Sequence, residues 1–203
     1  MNTGPYLVEG ISADLYKEIL LSNFQKISGL KLPQKPHLLG NGFHGFAFDI
    51  GGDKILKMTD DEKEAATSAF ISKKNISGLW KVFSVWEFSG MKVWVIIGEK
   101  LKIDRSRAEA LMKKLEKAAQ VKAEASTTAG YADSELSDIL VNLDGDKDAT
   151  EIAFAMNALR NAGVKFWDLH AGNIAFRGNK PVIIDLGESI SSGGKIGVFE
   201  WNL

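Results

Sequence analysis

Between His37 and Glu99 the chain offers five short apolar runs with only one helical stretch among them. The runs are Leu38 to Gly40, Phe43 to Ile50, Lys54 to Met58, Leu79 to Phe88 and Met91 to Glu99. Each is rich in residues that suit a pleated, half-buried surface and is bounded by turn residues. Gly51-Gly52-Asp53 reads as a hairpin turn, and Ser89-Gly90 separates the last two runs. Five such strands can be joined without a parallel crossover, so an antiparallel sheet is expected. The helical stretch between the third and fourth runs ends near Lys74, and Thr59 or Asp60 can cap its start.

After Leu101 the pattern changes to helix. Asp104 can cap a long helix with Leu111, Leu115 and Ala118 on one face. Asp148 and Glu151 read as a capping box for a second helix, with Ile152, Met156 and Leu159 on its apolar face and Gly163 at its C-cap. Two short apolar runs, Asn173 to Phe176 and Pro181 to Ile184, flank the turn Arg177-Gly178-Asn179. Near the N-terminus, Ser12 can cap a helix carrying Leu15, Ile19 and Leu20. The reading is an α+β chain of one domain over 1–203. Its strand-rich part is 1–98 and its helix-rich part 99–203.

Composition removes several function classes. Lys plus Arg number 25 against 26 acidic residues, which gives no net pull toward nucleic acid or a membrane surface. With no Cys, disulfide frameworks and Cys-ligated zinc are excluded. His37, His44 and His170 have no zinc-ligand spacing. No apolar run reaches the ~20 residues of a membrane span, and residues 1–10 lack a secretory layout. A cytoplasmic protein is expected. The basic stretch from Lys100 to Lys122 reads as a solvated helix face.

Four motifs carry chemistry. Gly40-Asn41-Gly42-Phe43-His44-Gly45 lies between strands, where backbone N–H groups can approach phosphate oxygens. Lys57, in an apolar strand, needs an anion or an exit to solvent; Glu64 seven residues on, or Glu62, can supply a carboxylate. Asp168-Leu169-His170-Ala171-Gly172-Asn173 offers a carboxylate to hold an acceptor hydroxyl and an amide oxygen for a hard cation. Asp185-Leu186-Gly187 places a carboxylate at the end of an apolar strand, where it suits a phosphate-bridging magnesium. Each has a bland alternative: a plain glycine hairpin, an edge-strand Lys, an Asx-rich turn, a strand-ending turn. Their order along the chain favours phosphoryl transfer, which needs a phosphate cradle, a charge clamp, a hydroxyl-positioning carboxylate and metal ligands.

On these residues, from about Leu38 to Glu188, the sequence resembles the protein-kinase-like superfamily. The resemblance implies a bilobal fold with a five-stranded N-lobe sheet and a shortened helical C-lobe. It implies ATP and Mg2+ as cofactors. Gly40, Asn41, Gly42, Phe43, His44 and Gly45 would form the loop over the ATP phosphates. Lys57 and Glu64 would form the strand–helix ion pair. Ile96 to Leu101 would form the hinge, with Glu99 and Leu101 meeting the adenine. Asp168 would be the catalytic carboxylate, and Asn173 and Asp185 the metal ligands. His170 stands where protein kinases carry a Lys near the γ-phosphate; protonated, it would replace part of that charge.

The sequence also departs from protein kinases. Phe166 and Trp167 replace the His-Arg pair before the catalytic Asp, so control by a phosphorylated activation loop is not expected. Leu186 replaces the Phe of the metal motif. Asp-Leu-His-Ala-Gly-Asn is closer to the Asp-Leu-His-Pro-Gly-Asn of aminoglycoside and choline kinase relatives and of small bacterial and phage kinase-like proteins. Sixteen residues follow Gly187, too few for the distal elements that bind acceptors in these families. The first functional expectation is a minimal Ser/Thr protein kinase; Ser189, Ser191 and Ser192 are candidate autophosphorylation sites, with a flexible Ser/Gly tail as the favoured reading of that segment. The alternatives are a small-molecule kinase and a nucleotide-binding pseudokinase acting as an interaction module. The partners expected are ATP and a protein hydroxyl or small-molecule alcohol, with no nucleic acid and no membrane.

Overall fold

The structure, a computed structural model, describes residues 21–22, 24, 31–33, 36–41, 44–74, 76–88, 93–125, 145–166, 169–186 and 189–191. The helix expected after Ser12 lies outside these residues. So do Gly42, Phe43, Asp168, Gly187 and Ser192.

Five strands form one antiparallel sheet: β1 (His37–Asn41), β2 (Gly45–Gly51), β3 (Lys54–Thr59), β4 (Val82–Phe88) and β5 (Val93–Glu99). Their order is β1-β2-β3-β5-β4, so β3 and β5 are interior. The β2–β3 turn takes positive φ at Gly51, Gly52 and Asp53, the backbone that Gly-Gly-Asp favours. The fourth strand begins later than the sequence suggests: Leu79 instead makes an isolated parallel bridge to Ile183. Helix α1 (Glu62–Ser72) covers one sheet face.

That face explains the apolar run of β5. Val93, Val95 and Ile97 point to a cluster with Phe24, Phe48, Leu56 and Met58. Trp94 and Ile96 point the other way, into a larger cluster with Ala65 and Ala69 of α1. With both faces covered, alternation disappears from the sequence. Along β3 the alternation survives. Leu56 and Met58 face the first cluster, so the period of two turns Ile55 and Lys57 toward α1.

The larger cluster continues into the second part of the chain through Leu111 and Leu115 of α2 (Arg105–Ala125) and Ile152 and Leu159 of α3 (Lys147–Asn161). Asp104 caps α2 as expected, accepting from the Arg107 N–H at 3.2 Å. The cap of α3 is Asp146, which accepts from Asp148 and Ala149 at 3.1 Å each. It is not Asp148, because Gly145 at φ +79 turns the chain one step earlier. Likewise α1 is capped by Asp61 rather than Thr59 or Asp60; its carboxylate takes the N–H groups of Lys63 at 2.8 Å and Glu64 at 3.3 Å. Gly163 has φ +81 just past the end of α3, as expected of a left-handed terminus.

After α3 come β6 (Val164–Phe166), a 3-10 turn (Ala171–Asn173), β7 (Ile174–Arg177), β8 (Lys180–Ile183) and β9 (Ser189–Ser191). β7 and β8 form the expected hairpin, with Gly178 at φ +61. The β6–β9 pair is not visible in the sequence. Ser189 to Ser191, expected as a flexible tail, pair antiparallel with Phe166 to Val164. A three-residue strand of Ser-Ile-Ser has no periodicity to read. Among the described residues no helix is long and apolar enough to cross a membrane.

Candidate active site

A cleft of about 730 Å³ opens between the sheet and the β7–β8 hairpin. Gly40, His44 and Gly45 stand on one wall, Lys57 and Glu64 at the back, and Glu99 and Leu101 at one end. His170, Asn173 and Asp185 stand on the opposite wall. The structure thus gathers in one cavity residues from four separate motifs. Asp168, Gly42 and Phe43 lie outside the described residues, and Asn41 is placed only as the last residue of β1.

Lys57 is the centre of the charge arrangement. It sits on an interior strand, not on an edge, so solvent is not its partner. Its Nζ contacts Glu64 Oε1, and Asp185 Oδ2 lies 3.1 Å away. Glu62, the other acidic residue in the first turn of α1, is exposed and takes no part. Asp61 fixes the start of α1, so the third helical residue faces the sheet, and that residue is Glu64. Burial works to discharge the Lys57 ammonium, but the Glu64 and Asp185 carboxylates outweigh it and hold its pKa above the ordinary value. Burial also raises the Glu64 carboxyl, against the pull of Lys57. Two carboxylates facing one ammonium leave Lys57 charged.

The opposite wall is built by the 3-10 turn. His170 Nδ1 accepts the Gly172 N–H at 3.0 Å, and the Asn173 N–H donates to the His170 carbonyl at 2.9 Å. Ile184 N–H donates to the Asn173 carbonyl at 2.9 Å, which ties the turn to the strand leading to Asp185. Nδ1 accepts this bond only while it carries no proton. The cationic role expected of His170 would therefore cost the bond to Gly172.

Asn173 is buried and Asp185 partly exposed, both facing the cleft. A carboxylate and an amide carbonyl are the oxygen donors that a hard divalent ion takes alongside phosphate oxygens and water. Among the described residues no group of three or more His, Cys, Asp or Glu is arranged to hold a metal alone. The donor set thus fits a magnesium that arrives with nucleotide rather than one held in a protein cage.

The glycine loop is held at its second half. Gly45 pairs with Thr59, and a Cβ there would lie 1.8 Å from the Met58 carbonyl oxygen. At Gly40 the space is open. His44 Nδ1 lies 2.9 Å from Asp60 Oδ1, and the Asp60 N–H donates to the His44 carbonyl at 2.9 Å. His44 thereby joins the loop tip to the end of β3.

At the far end of the cleft, the polar groups of Glu99 are engaged by the protein itself. Its carboxylate takes Arg177 Nε at 2.8 Å, a second contact from Arg177 Nη2, and the Lys81 N–H at 2.7 Å. Its own N–H donates to the Lys81 carbonyl at 3.0 Å, and its carbonyl accepts the Trp80 indole at 2.9 Å. Trp80, which as an apolar ring on a strand reads from the sequence as a core or lobe-interface residue, is buried. It also lines the cleft. The signal was Gly98, since only a residue without a side chain lets that ring lie on β5.

Comparison with solved structures returns aminoglycoside phosphotransferases, which are members of the protein-kinase-like superfamily. A thermostable mutant of APH(4)-Ia, in ternary complex with AMP-PNP and hygromycin B, is similar at TM-score 0.45 and 13% identity, over 84% of this chain and 71% of that one. The GDP and kanamycin complex of APH(2")-IIia is similar at TM-score 0.44 and 12% identity, over 86% of this chain and 73% of that one. No protein-family model matches the sequence, and no curated protein matches it.

Proposed function

We propose that this chain is an ATP-dependent phosphotransferase with an alcohol group as acceptor. The observation that supports it most is Lys57 held between Glu64 and Asp185 at the back of a cleft also lined by the glycine loop and Asn173. An obligatory cation there suits the α- and β-phosphate oxygens. Gly45 brings backbone close to the same space. Asp185 and Asn173 would hold magnesium, which neutralises phosphate charge when bound. Asp168, two residues before His170 in sequence, would orient the acceptor hydroxyl and take its proton.

For the acceptor, the reading is a small-molecule alcohol. Its support is the run Asp168-Leu169-His170-Ala171-Gly172-Asn173, similar to that of aminoglycoside and choline kinases. The His170 side chain capping the turn also gives that run a structural role that the Lys of a protein kinase would not fill.

The test is incubation with γ-labelled ATP and magnesium, with aminoglycosides, choline and other small alcohols offered beside protein substrates. Label should move to a small alcohol, and Asp168→Ala and Asp185→Ala should abolish transfer. Label only on protein would replace the small-molecule reading with the Ser/Thr protein kinase. Label that persists in Asp168→Ala would overturn the catalytic assignment. Nucleotide binding without transfer would mark an interaction module.

A further inference from the structure

The strand that carries Lys57 ends two residues later, at Thr59. The period of two puts both side chains on the face of β3 that meets α1. Thr59 is 1% exposed, and a hydroxyl so buried needs a partner for its oxygen and another for its proton. The oxygen accepts the Asp61 N–H at 3.1 Å, a local turn that leads the chain from β3 into α1. The proton goes to the Glu64 carboxylate. In the sheet the backbone of Thr59 pairs with Gly45. Thr59 thus joins the glycine loop through its strand and the helix carboxylate through its side chain.

Glu64 needs a hold of this kind. A lysine ammonium has three N–H donors. At Lys57 the Glu64 and Asp185 carboxylates face the ammonium from two sides, and so fix the direction in which the remaining donor points. A Glu64 carboxylate that moves re-aims that donor, and a misplaced charge is costly where phosphate must be met in one geometry. Asp61 fixes the first turn of α1 through the Lys63 and Glu64 N–H groups. That sets where the Glu64 backbone stands and leaves its side chain to turn about its own torsions. The side chain is held by Lys57 and Thr59, and Lys57 is the group that a phosphate would draw away.

We propose that Thr59 is a positioning residue of this site, whose hydroxyl holds Glu64 so that Lys57 presents its remaining N–H to a nucleotide phosphate. The proposal rests on the phosphotransferase reading. It assigns to the site a residue that the sequence offers only as a helix cap.

Thr59→Val keeps the branched shape that suits the strand and removes the hydroxyl. In calorimetric titration of the full chain with AMP-PNP and magnesium, it should bind about tenfold more weakly than wild type, the low end for a hydrogen bond to a charged group. Adenosine brings no phosphate and should bind both proteins alike. Thr59→Ser keeps the hydroxyl and should hold AMP-PNP within about threefold of wild type. If Thr59→Val does not fold, Thr59→Ala carries the same expectation. A loss below about threefold in the variant without the hydroxyl overturns the proposal. So does an equal loss for AMP-PNP and adenosine, which marks a general packing defect, and so does a folded Thr59→Ser protein that loses as much as Thr59→Val. Each of these results leaves the phosphotransferase reading standing. Wild-type protein that binds neither AMP-PNP nor adenosine sinks that reading and this inference with it.

Discussion

Lys57 and Asp185 stand 128 residues apart in the chain, yet Nζ and Oδ2 are 3.1 Å apart across the cleft. With Glu64 on the other side, the ammonium joins the sheet, α1 and the segment after β8. Removing it leaves a buried carboxylate with no compensating charge. Lys57→Met should therefore destabilise the fold by roughly 3–5 kcal/mol, the usual cost of breaking a buried pair from one side. Adding Glu64→Gln should recover more than half of that. Urea denaturation of the two variants measures both, and nucleotide affinity should be lost in each.

The same cluster has an alkaline signature. The folded-state pKa of Lys57 is raised, so the cluster's contribution is complete below the unfolded lysine value of about 10.4. It fades as pH climbs through the folded value. The stability gap between wild type and Lys57→Met should thus be flat from about pH 8 to 10 and narrow above that. A gap that narrows below about pH 9 would contradict a charged Lys57.

Two glycines of one loop should behave differently. Gly45→Ala drives a Cβ into the Met58 carbonyl, a backbone atom that cannot swing away. It should cost about 1–3 kcal/mol and weaken nucleotide binding. Gly40→Ala meets open space and should stay within about 0.5 kcal/mol. Thermal melts with and without AMP-PNP separate the two effects.

At low pH the start of the third helix should loosen. Lys114 holds the Asp146 carboxyl below its ordinary range, helped by the Ala149 and Asp148 N–H groups at the start of α3. A lowered carboxyl stabilises above its unfolded value of about 3.9 and loses that effect as pH falls through the folded value. Asp146→Ala should cost about 0.5–2 kcal/mol near neutrality, the range for an N-cap, and the difference should vanish in acid.

The sheet was legible because its strands announce themselves by β-branched runs and Gly-rich turns. Lys57 and Glu64 were legible because a charge in an apolar strand demands a partner within reach. What the sequence hid was of two kinds. Caps slipped by one or two residues, because Asp60 and Asp61, or Asp146 and Asp148, look alike until a turn such as Gly145 decides between them. Long-range contacts gave no local sign at all. Nothing near Glu99 says that Arg177 will take its carboxylate, or that Trp80 will take its carbonyl. Asp168, proposed to position the acceptor hydroxyl, lies outside the described residues.

Arg177 has a mechanical meaning as well. It binds Glu99 through two nitrogens and reaches the Leu79 carbonyl at 3.0 Å, while Lys102 and Phe176 are laced together a few residues away. The crossing from β5 to α2 is therefore riveted to the hairpin below it. A jaw so fastened is not expected to swing at its joint. Any closure over the proposed nucleotide is expected of the β1–β2 ribbon at the free margin of the sheet, where Leu38 and Leu39 lie exposed.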